Sequence, residues 1–331
     1  MIHIHDLVNF KDSLSRCVGI RVLRETKNRK IISSTFSSAS IKIEILRRIT
    51  ILFFGTFKRN NSSIVLAIDN RIGPLVCLIA SGLNSRHKIV IFLHNNAKKI
   101  TEHNFTRFIY LRLCERRNVR LYVMSRYVSN VLLSAGVKNY YFRHPVIMNP
   151  AAKRIKNSIL IVGRNNDIIP KESSYIIRLL NHAIILNIRV EFNVRENSAV
   201  HRFLLEKYAR SIRLNLYPSF LSPIDYVDLF KSVKYLLILD DYATRLSCSG
   251  TFYDAVSTGT PIIHDSDAVL QEDIDYLSYM NLKYRDDFHG IFNTMLDDVT
   301  YAAASEYVSS QACIFQSEYE LNVEEMVSWM S

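Results

Sequence analysis

Acidic residues are scarce in the first half of this sequence. Residues 1–150 hold 7 Asp and Glu against 25 Lys and Arg, a balance of +18, whereas the remainder holds 24 against 17, or −7; together they give the chain's +11. So uneven a division points to two regions with different partners. The basic one suits nucleic acid, an anionic membrane surface or a phosphorylated acceptor. Its charges form no uninterrupted tail. They cluster at Arg21–Lys30, at Arg47, Arg48, Lys58 and Arg59, and at Arg112–Arg120, beside apolar segments, which favours a folded surface over a disordered arm. Long apolar runs are missing too: Ile49–Phe57 is the longest, far short of the roughly 18 residues a spanning helix needs. Cysteine is sparse and odd in number, at 5 (Cys17, Cys77, Cys114, Cys248, Cys313), without metal-ligand spacing. That argues against a disulfide framework and leads us to expect a reduced, cytoplasmic compartment. The opening MIHIHDLVNFKD lacks the basic-then-apolar plan of a signal peptide. No Gly-x-Ser-x-Gly elbow supports a serine hydrolase, and no internal sequence repeat is present.

What is present is alternation. A chain of 331 residues exceeds what one core usually serves, so two domains of roughly 150 residues are expected. We place them at 1–150 and 151–331, with a linker at Asn149–Ala152 followed by Lys153–Lys156. In the first, Ile64–Ile68, Lys88–Leu93 and Val119–Met124 read as strands, and Pro74–Ala80, Thr101–Cys114 and Ser125–Ser134 as helices. Ser38–Phe54 reads as a basic amphipathic helix that either packs its apolar face on the sheet or docks on anionic lipid. In the second, strands are expected at Ile159–Val162, Val190–Asn193, Leu214–Tyr217 and Tyr235–Asp240, with helices at Ser173–Ile185 and Pro223–Lys231. Residues past Glu306 read as a helix that crosses back onto the first domain. Strand and helix alternating at this spacing argue an α/β fold with doubly wound, Rossmann-like parallel sheets.

The chain turns on one stretch, Arg245–Ile263, RLSCSGTFYDAVSTGTPII. After the buried strand before it, Ser247, Ser249 and Gly250 break the apolar run, Thr251–Ser257 starts a helix, and Gly259, Thr260 and Pro261 stop it before Ile262 and Ile263. In a parallel sheet the loop after a strand lies on the ligand side, and a helix N-terminus there offers unpaired N–H groups to an anion. Gly250 allows close approach of a phosphate, and Arg245 offers a bidentate fork. Thr251 and Asp254 also have capping-box spacing, which would leave them occupied with the backbone alone.

The run Arg245-x-x-x-Ser249-Gly250-Thr251-x-x-Asp254-Ala255, with Gly259-x-Pro261-Ile262-Ile263, resembles the nucleotide-sugar-binding segment of bacterial glycosyltransferases of GT-B architecture. That resemblance implies two Rossmann-like domains facing each other across a cleft. It covers Ile159–Ile263 best and the first domain in outline, where the Gly-rich first turn often seen in this architecture is missing. By resemblance, Ser249, Gly250 and Thr251 form the diphosphate-binding turn and Asp254 holds the ribose hydroxyls. Arg164, after Ile161-Val162-Gly163, and Lys171 downstream neutralise the diphosphate, although their spacing is longer than usual. Leu214–Ser222 resembles the strand and loop, with Phe220 and Leu221, that cradle the base. Eight residues before Asp254, where related retaining enzymes carry a sugar-contacting Glu, this chain has Leu246. Asp241 lies nearby, and the stereochemistry is left open.

Breaking an anomeric bond loads negative charge onto the leaving diphosphate, so fixed positive charge and helix-end N–H groups stabilise the transition state. Arg245, Arg164 and the Ser249–Thr251 turn are the candidates. No Asp-x-Asp metal site is evident, so no cofactor and a metal-independent reaction are expected. An inverting transfer also needs a base for the acceptor hydroxyl. His94 at a strand end, and Asp69 as a second possibility, have the chemistry, although a lone His after a strand is commonly a packing or capping residue. The expected partners are a nucleotide-diphosphate sugar, a saccharide or lipid-linked acceptor and an anionic membrane surface, with no nucleic acid. The setting is cytoplasmic, peripheral on the inner face of the plasma membrane, in synthesis of a surface polysaccharide such as lipopolysaccharide or capsule. Two rivals remain: a non-catalytic membrane- or nucleic-acid-binding protein on a Rossmann-like scaffold, and a sugar-nucleotide epimerase of the same architecture.

Overall fold

The computed structural model describes residues 32–36, 64–68, 72–80, 88–93, 97–146, 148, 157–162, 180–194, 199–208, 214–218, 221–238, 250–264, 293 and 296–330. These form two compact units. One takes the described residues up to Pro145 and those from Ser317 onward; the other takes the described residues from Val146 to Gln316.

The first unit is a parallel sheet of β1 (Ile32–Phe36), β2 (Ile64–Ile68), β3 (Ile89–Leu93), β4 (Val119–Val123) and β5 (Tyr140–Tyr141), joined in chain order. Its helices are α1 (Gly73–Ala80), α2 (Ala97–Glu102), α3 (Asn104–Cys114) and α4 (Arg126–Ser134). Every residue of β3 is buried, as suits an apolar run in the middle of a parallel sheet. Ile89, Ile91 and Leu93 share a core with Leu121 and Val123 of β4 and with Ile100, Ile109, Leu113 and Leu132 from the helices. Alternation along the strand sends Phe92 to the opposite face, where it meets Tyr122 and Phe142 at ring-centroid distances of 5.5 and 5.0 Å. Strands laid down in one direction with right-handed crossovers put their helices on one face, so this aromatic face needs another cover. That cover comes from the far end of the chain, described below.

The helix expected over Thr101–Cys114 is two helices. His103 is extended (φ −118, ψ 111) and serves as the N-cap position of α3. Its N–H donates to the Lys99 carbonyl at 3.0 Å, and its own carbonyl accepts from Arg107 at 3.0 Å, so the kink leaves no backbone group stranded.

The second unit is a parallel sheet of β6 (Ser158–Val162), β7 (Arg189–Val194), β8 (Leu214–Pro218), β9 (Tyr235–Ile238) and β10 (Ile262–His264), in the order β10-β9-β6-β7-β8. The chain first builds outward from β6 to β8, then returns to lay β9 on the other side of β6. That reversal is the mark of a Rossmann-like sheet. Its helices include α5 (Ala199–Tyr208), α6 (Pro223–Ser232) and α7 (Gly250–Ser257). Ile159, Ile161, Val190, Phe192, Leu237 and Ile263 make the apolar core. On the other face of β7 the carboxylate of Glu191 is fully buried. The Arg189 guanidinium lies 2.6 Å from it, and the Asn215 amide donates to both its oxygens at 3.2 and 3.1 Å, so the buried charge is paired and hydrogen-bonded.

Three helices end in the same way, on a residue in the left-handed region. Gly136 (φ 81) follows α4, Gly259 (φ 64) follows α7, and Asn187 (φ 60) follows the helical residues 180–185. In each, the next N–H reaches back five residues: Val137 to Leu132 at 2.9 Å, Thr260 to Ala255 at 2.9 Å, and Ile188 to Ala183 at 2.7 Å. This is the Schellman arrangement.

The last helix, α8 (Asp298–Met330), is 33 residues long. Asp297 caps it, accepting from the N–H groups of Val299 and Thr300 at 3.2 and 3.1 Å, and those bonds with the Thr300 hydroxyl hold its carboxyl below the usual range. In the second unit Lys234 reaches Asp298 at 2.7 Å and Tyr253 packs on Phe315. In the first, Tyr319 packs edge-on against Phe142 at 5.7 Å and covers the aromatic face. Arg143, 2% exposed, is clamped by Glu318 at 2.7 and 2.6 Å. Arg120 pairs with Glu325 at 2.9 Å and lies over the rings of Tyr140 and Trp329. Lys88 donates to the Trp329 carbonyl at 2.7 Å. Among the described residues no helix is long and apolar enough to cross a membrane.

Candidate functional site

β6 and β9 are neighbours, with Ile161 opposite Leu237, and the strand order reverses between them. The connections leaving two such strands diverge at their carboxyl ends and open a crevice there. β6 ends at Val162 and β9 at Ile238, and the segments that follow them, with Gly163-Arg164 and with Arg245–Ser249, lie outside the described residues.

The helix after β9 is firmly seated. Phe252, Tyr253, Ala255 and Val256 of α7 are buried, whereas Thr251 and Asp254 are half-buried. Beyond its C-terminus, the Thr260 hydroxyl donates to the Phe230 carbonyl of α6 at 3.0 Å and exchanges a 2.8 Å hydrogen bond with Thr258. The Ser305 hydroxyl of α8 donates to the Gly259 carbonyl at 3.3 Å. No acidic residue stands in the first turn of α7. By contrast, α6 has Ser222 accepting from the Asp225 N–H at 3.1 Å, with Asp225 in its first turn.

Of the expected donor residues, the structure describes Leu221, Gly250, Thr251 and Asp254. Gly250 is the first residue of α7 and Thr251 the second. Thr251 therefore sits inside the helix, two residues past the flanking position that a Thr-x-x-Asp capping box requires. Asp254 accepts a hydrogen bond from the Tyr226 hydroxyl of α6 at 3.2 Å. Leu221 is half-buried and immediately precedes Ser222, the N-cap of that same α6. The base-side segment and the expected ribose carboxylate are thus joined through one helix. Arg164, Lys171, Phe220, Arg245 and Ser249 lie outside the described residues, as do Asp69 and His94. The strands before the last two, β2 and β3, end at Ile68 and Leu93, which are register partners.

No protein-family model matches the chain, and no curated protein matches it. Solved structures do. TarM of S. aureus superposes with a TM-score of 0.62 at 11% identity, over 85% of this chain and 57% of its own. The trehalose-6-phosphate synthase studied for enzymatic glycosyltransfer with retention gives 0.58 at 12%, over 97% of this chain and 85% of its own. Anabaena HepE in complex with UDP-glucose gives 0.59 at 11%, over 90% and 99%. The chain has the GT-B fold.

Within the GT-B fold, the reversal at β6 and β9 belongs to the unit that carries the Ser249–Asp254 segment. Tyr226 is the site residue that sequence reasoning missed. It stands 28 positions from Asp254, and no local periodicity connects a residue on one helix to a carboxylate on another.

Proposed function

We propose that the protein transfers a sugar from a nucleoside-diphosphate donor to a saccharide or lipid-linked acceptor in the synthesis of a surface glycan such as lipopolysaccharide or capsule. The observation that carries this reading is the strand reversal between β6 and β9, followed by α7 starting at Gly250. It supports an anion site at the crevice where the family motif requires one. The structural neighbours support the same donor class: HepE was solved in complex with UDP-glucose, and TarM with UDP and α-GlcNAc-glycerol.

In this reading the diphosphate lies against the N–H groups that open α7, with Arg245 and Arg164 supplying positive charge and Lys171 a further one. As the anomeric bond breaks, charge accumulates on the β-phosphate, and those donors hold it more tightly than they hold the intact donor. Asp254, steadied by Tyr226, takes the ribose hydroxyls, and the segment of Phe220 and Leu221 takes the base. No metal is assigned to the leaving group. In an inverting transfer the acceptor hydroxyl gives its proton to His94 or Asp69. The work takes place at the cytoplasmic face of an anionic membrane, where a lipid-linked acceptor is held.

Titration with UDP, GDP, ADP and TDP, followed by thermal unfolding, tests the donor half: one of them is expected to raise the midpoint, since a ligand at 100 times its Kd adds about 2.7 kcal/mol. No shift with any of the four would remove the proposal. Arg245→Ala is expected to leave the unfolding midpoint in place and reduce transfer by at least about a hundredfold.

A further inference from the structure

Four described basic residues of the first half meet the last helix. Lys88, Arg120, Arg126 and Arg143 all contact α8, the last three pairing with Glu318 or Glu325. On α2, α3 and the turn after them Lys98, Lys99, Arg107, Arg112, Arg116 and Arg117 are all exposed, as are Arg126 and Lys138 elsewhere in the described first unit. Glu102 and Glu115 are the acids of that segment, each pairing loosely with Lys98 or Arg112 at 3.9 and 3.6 Å. Residues 97–117 therefore carry 6 basic and 2 acidic groups, or +4.

Two phenylalanines stand in the middle of this charge. Phe105 is 64% exposed and Phe108 50%. With Arg112 they form a row at i, i+3 and i+7 along one side of α3, and the Arg112 guanidinium lies 5.3 Å from the Phe108 ring centre. Among the described residues, α3 is held to its sheet by Ile109, Tyr110, Leu113 and Cys114 on the opposite side. A helix that offers two aromatic rings to water, one of them beside a guanidinium, on a segment of exposed cations has the chemistry of an anionic bilayer surface. The rings enter the acyl boundary and the cations meet the phosphates.

We infer that the exposed row Phe105–Phe108–Arg112 of α3, with Lys98 and Lys99 of α2, is the surface by which the protein docks on an anionic lipid bilayer. The inference rests on the membrane-associated part of the proposed function and names the residues that perform it. Neither the apolar nor the electrostatic part is sufficient alone. Binding is therefore expected to need both anionic lipid and the two rings, and to weaken as salt shortens the screening length to below about 8 Å.

The test is sedimentation of the full chain with vesicles of equal parts phosphatidylglycerol and phosphatidylcholine, against vesicles of phosphatidylcholine alone. The parent protein is expected to pellet with the first and stay in solution with the second. Phe105→Ser with Phe108→Ser is expected to lower affinity for the anionic vesicles by about tenfold or more. Lys98→Gln, Lys99→Gln and Arg112→Gln together are expected to lower it by about fivefold per charge and to flatten its salt dependence. Both variants alter exposed side chains and should unfold at the parent's midpoint.

Failure of the parent to bind anionic vesicles overturns the inference, and so do variants that bind as the parent does. Two further results overturn it: a parent dimer that the Phe substitutions dissociate with vesicle binding untouched, or salt-sensitive binding to single-stranded RNA that replaces lipid binding and is lost in the same variants. The midpoint shift caused by UDP or another diphosphate is read in parallel. Its absence in the parent counts against the transferase, and its persistence in the variants separates the docking surface from the donor site.

Discussion

Asp254 and Tyr226 make the smallest arrangement with a functional consequence. In the proposed donor site Asp254 accepts the ribose hydroxyls, and the 3.2 Å bond from Tyr226 fixes one of its oxygens. Tyr226 also packs on Phe230 at 4.9 Å, so Tyr226→Phe keeps the ring and removes only the hydroxyl. That variant is expected to weaken nucleoside diphosphate binding by about three- to tenfold, the worth of one hydrogen bond to a charged group, while Asp254→Asn weakens it further. Calorimetric titration reads both, and unchanged affinity in Tyr226→Phe removes the positioning role. Cys114 illustrates the opposite case, a reactive group made inert. Burial pushes its thiol from 9.0 to about 12, against a small opposing pull from Lys138. The folded protein keeps this proton where the unfolded chain gives it up. The stability it contributes is thus complete below 9.0 and is lost between there and about 12. Iodoacetamide at mildly alkaline pH is expected to label Cys313, which is exposed, and to spare Cys114 until the chain unfolds.

Elements were legible where burial on two faces or a helical period wrote them plainly. Ile64–Ile68 and Ile159–Val162 are such runs, and both are strands. The break at His103 was not legible, since Thr101–Cys114 keeps its apolar period through a residue whose extended backbone is set by bonds on either side. The alternative reading of Thr251 as a cap falls for a related reason: Thr-x-x-Asp would start the helix at Phe252, but it starts two residues earlier, at Gly250. Helix ends offer a cleaner test of local chemistry. Gly136 has φ 81, and an added Cβ would meet nothing nearer than Leu111 at 3.8 Å. Space is therefore not the obstacle to Gly136→Ala; backbone conformation is, and the substitution is expected to cost about 1 kcal/mol. Asn187, at φ 60 in the equivalent place, gives the converse expectation: Asn187→Gly should be neutral or mildly stabilising in urea unfolding, and a loss above about 1 kcal/mol would refute that account.

At the scale of the whole molecule, alternation revealed the α/β class, but strand order depends on pairings between distant segments and is silent in the sequence. One sheet runs in chain order and the other reverses at β6. The charge division was equally incomplete as a guide. Its basic first half includes Arg120, Arg126 and Arg143, whose partners Glu325 and Glu318 come from the acidic end of the chain. Removing residues from Ser317 onward strips Tyr319, Glu318 and Trp329 from the first unit, leaving Arg143 buried without its carboxylate, a situation that typically costs about 3–5 kcal/mol. Hydrogen exchange is expected to show β3 and β4 losing protection in that truncated protein while β6, β7 and β9 keep theirs. Equal protection in both forms would show that the cover is dispensable.

The same cover sets an order of events at the ribosome. Lys88 and the Trp329 carbonyl it contacts are 241 residues apart, a stretch that takes on the order of ten to fifty seconds to translate. Once Phe142 has been made, the nascent first sheet presents Phe92, Tyr122 and Phe142 without the helix that covers them until Tyr319 follows. Its amino-terminal half is thus made first and finished last, and a chaperone that shields aromatic surface has its longest window of action there.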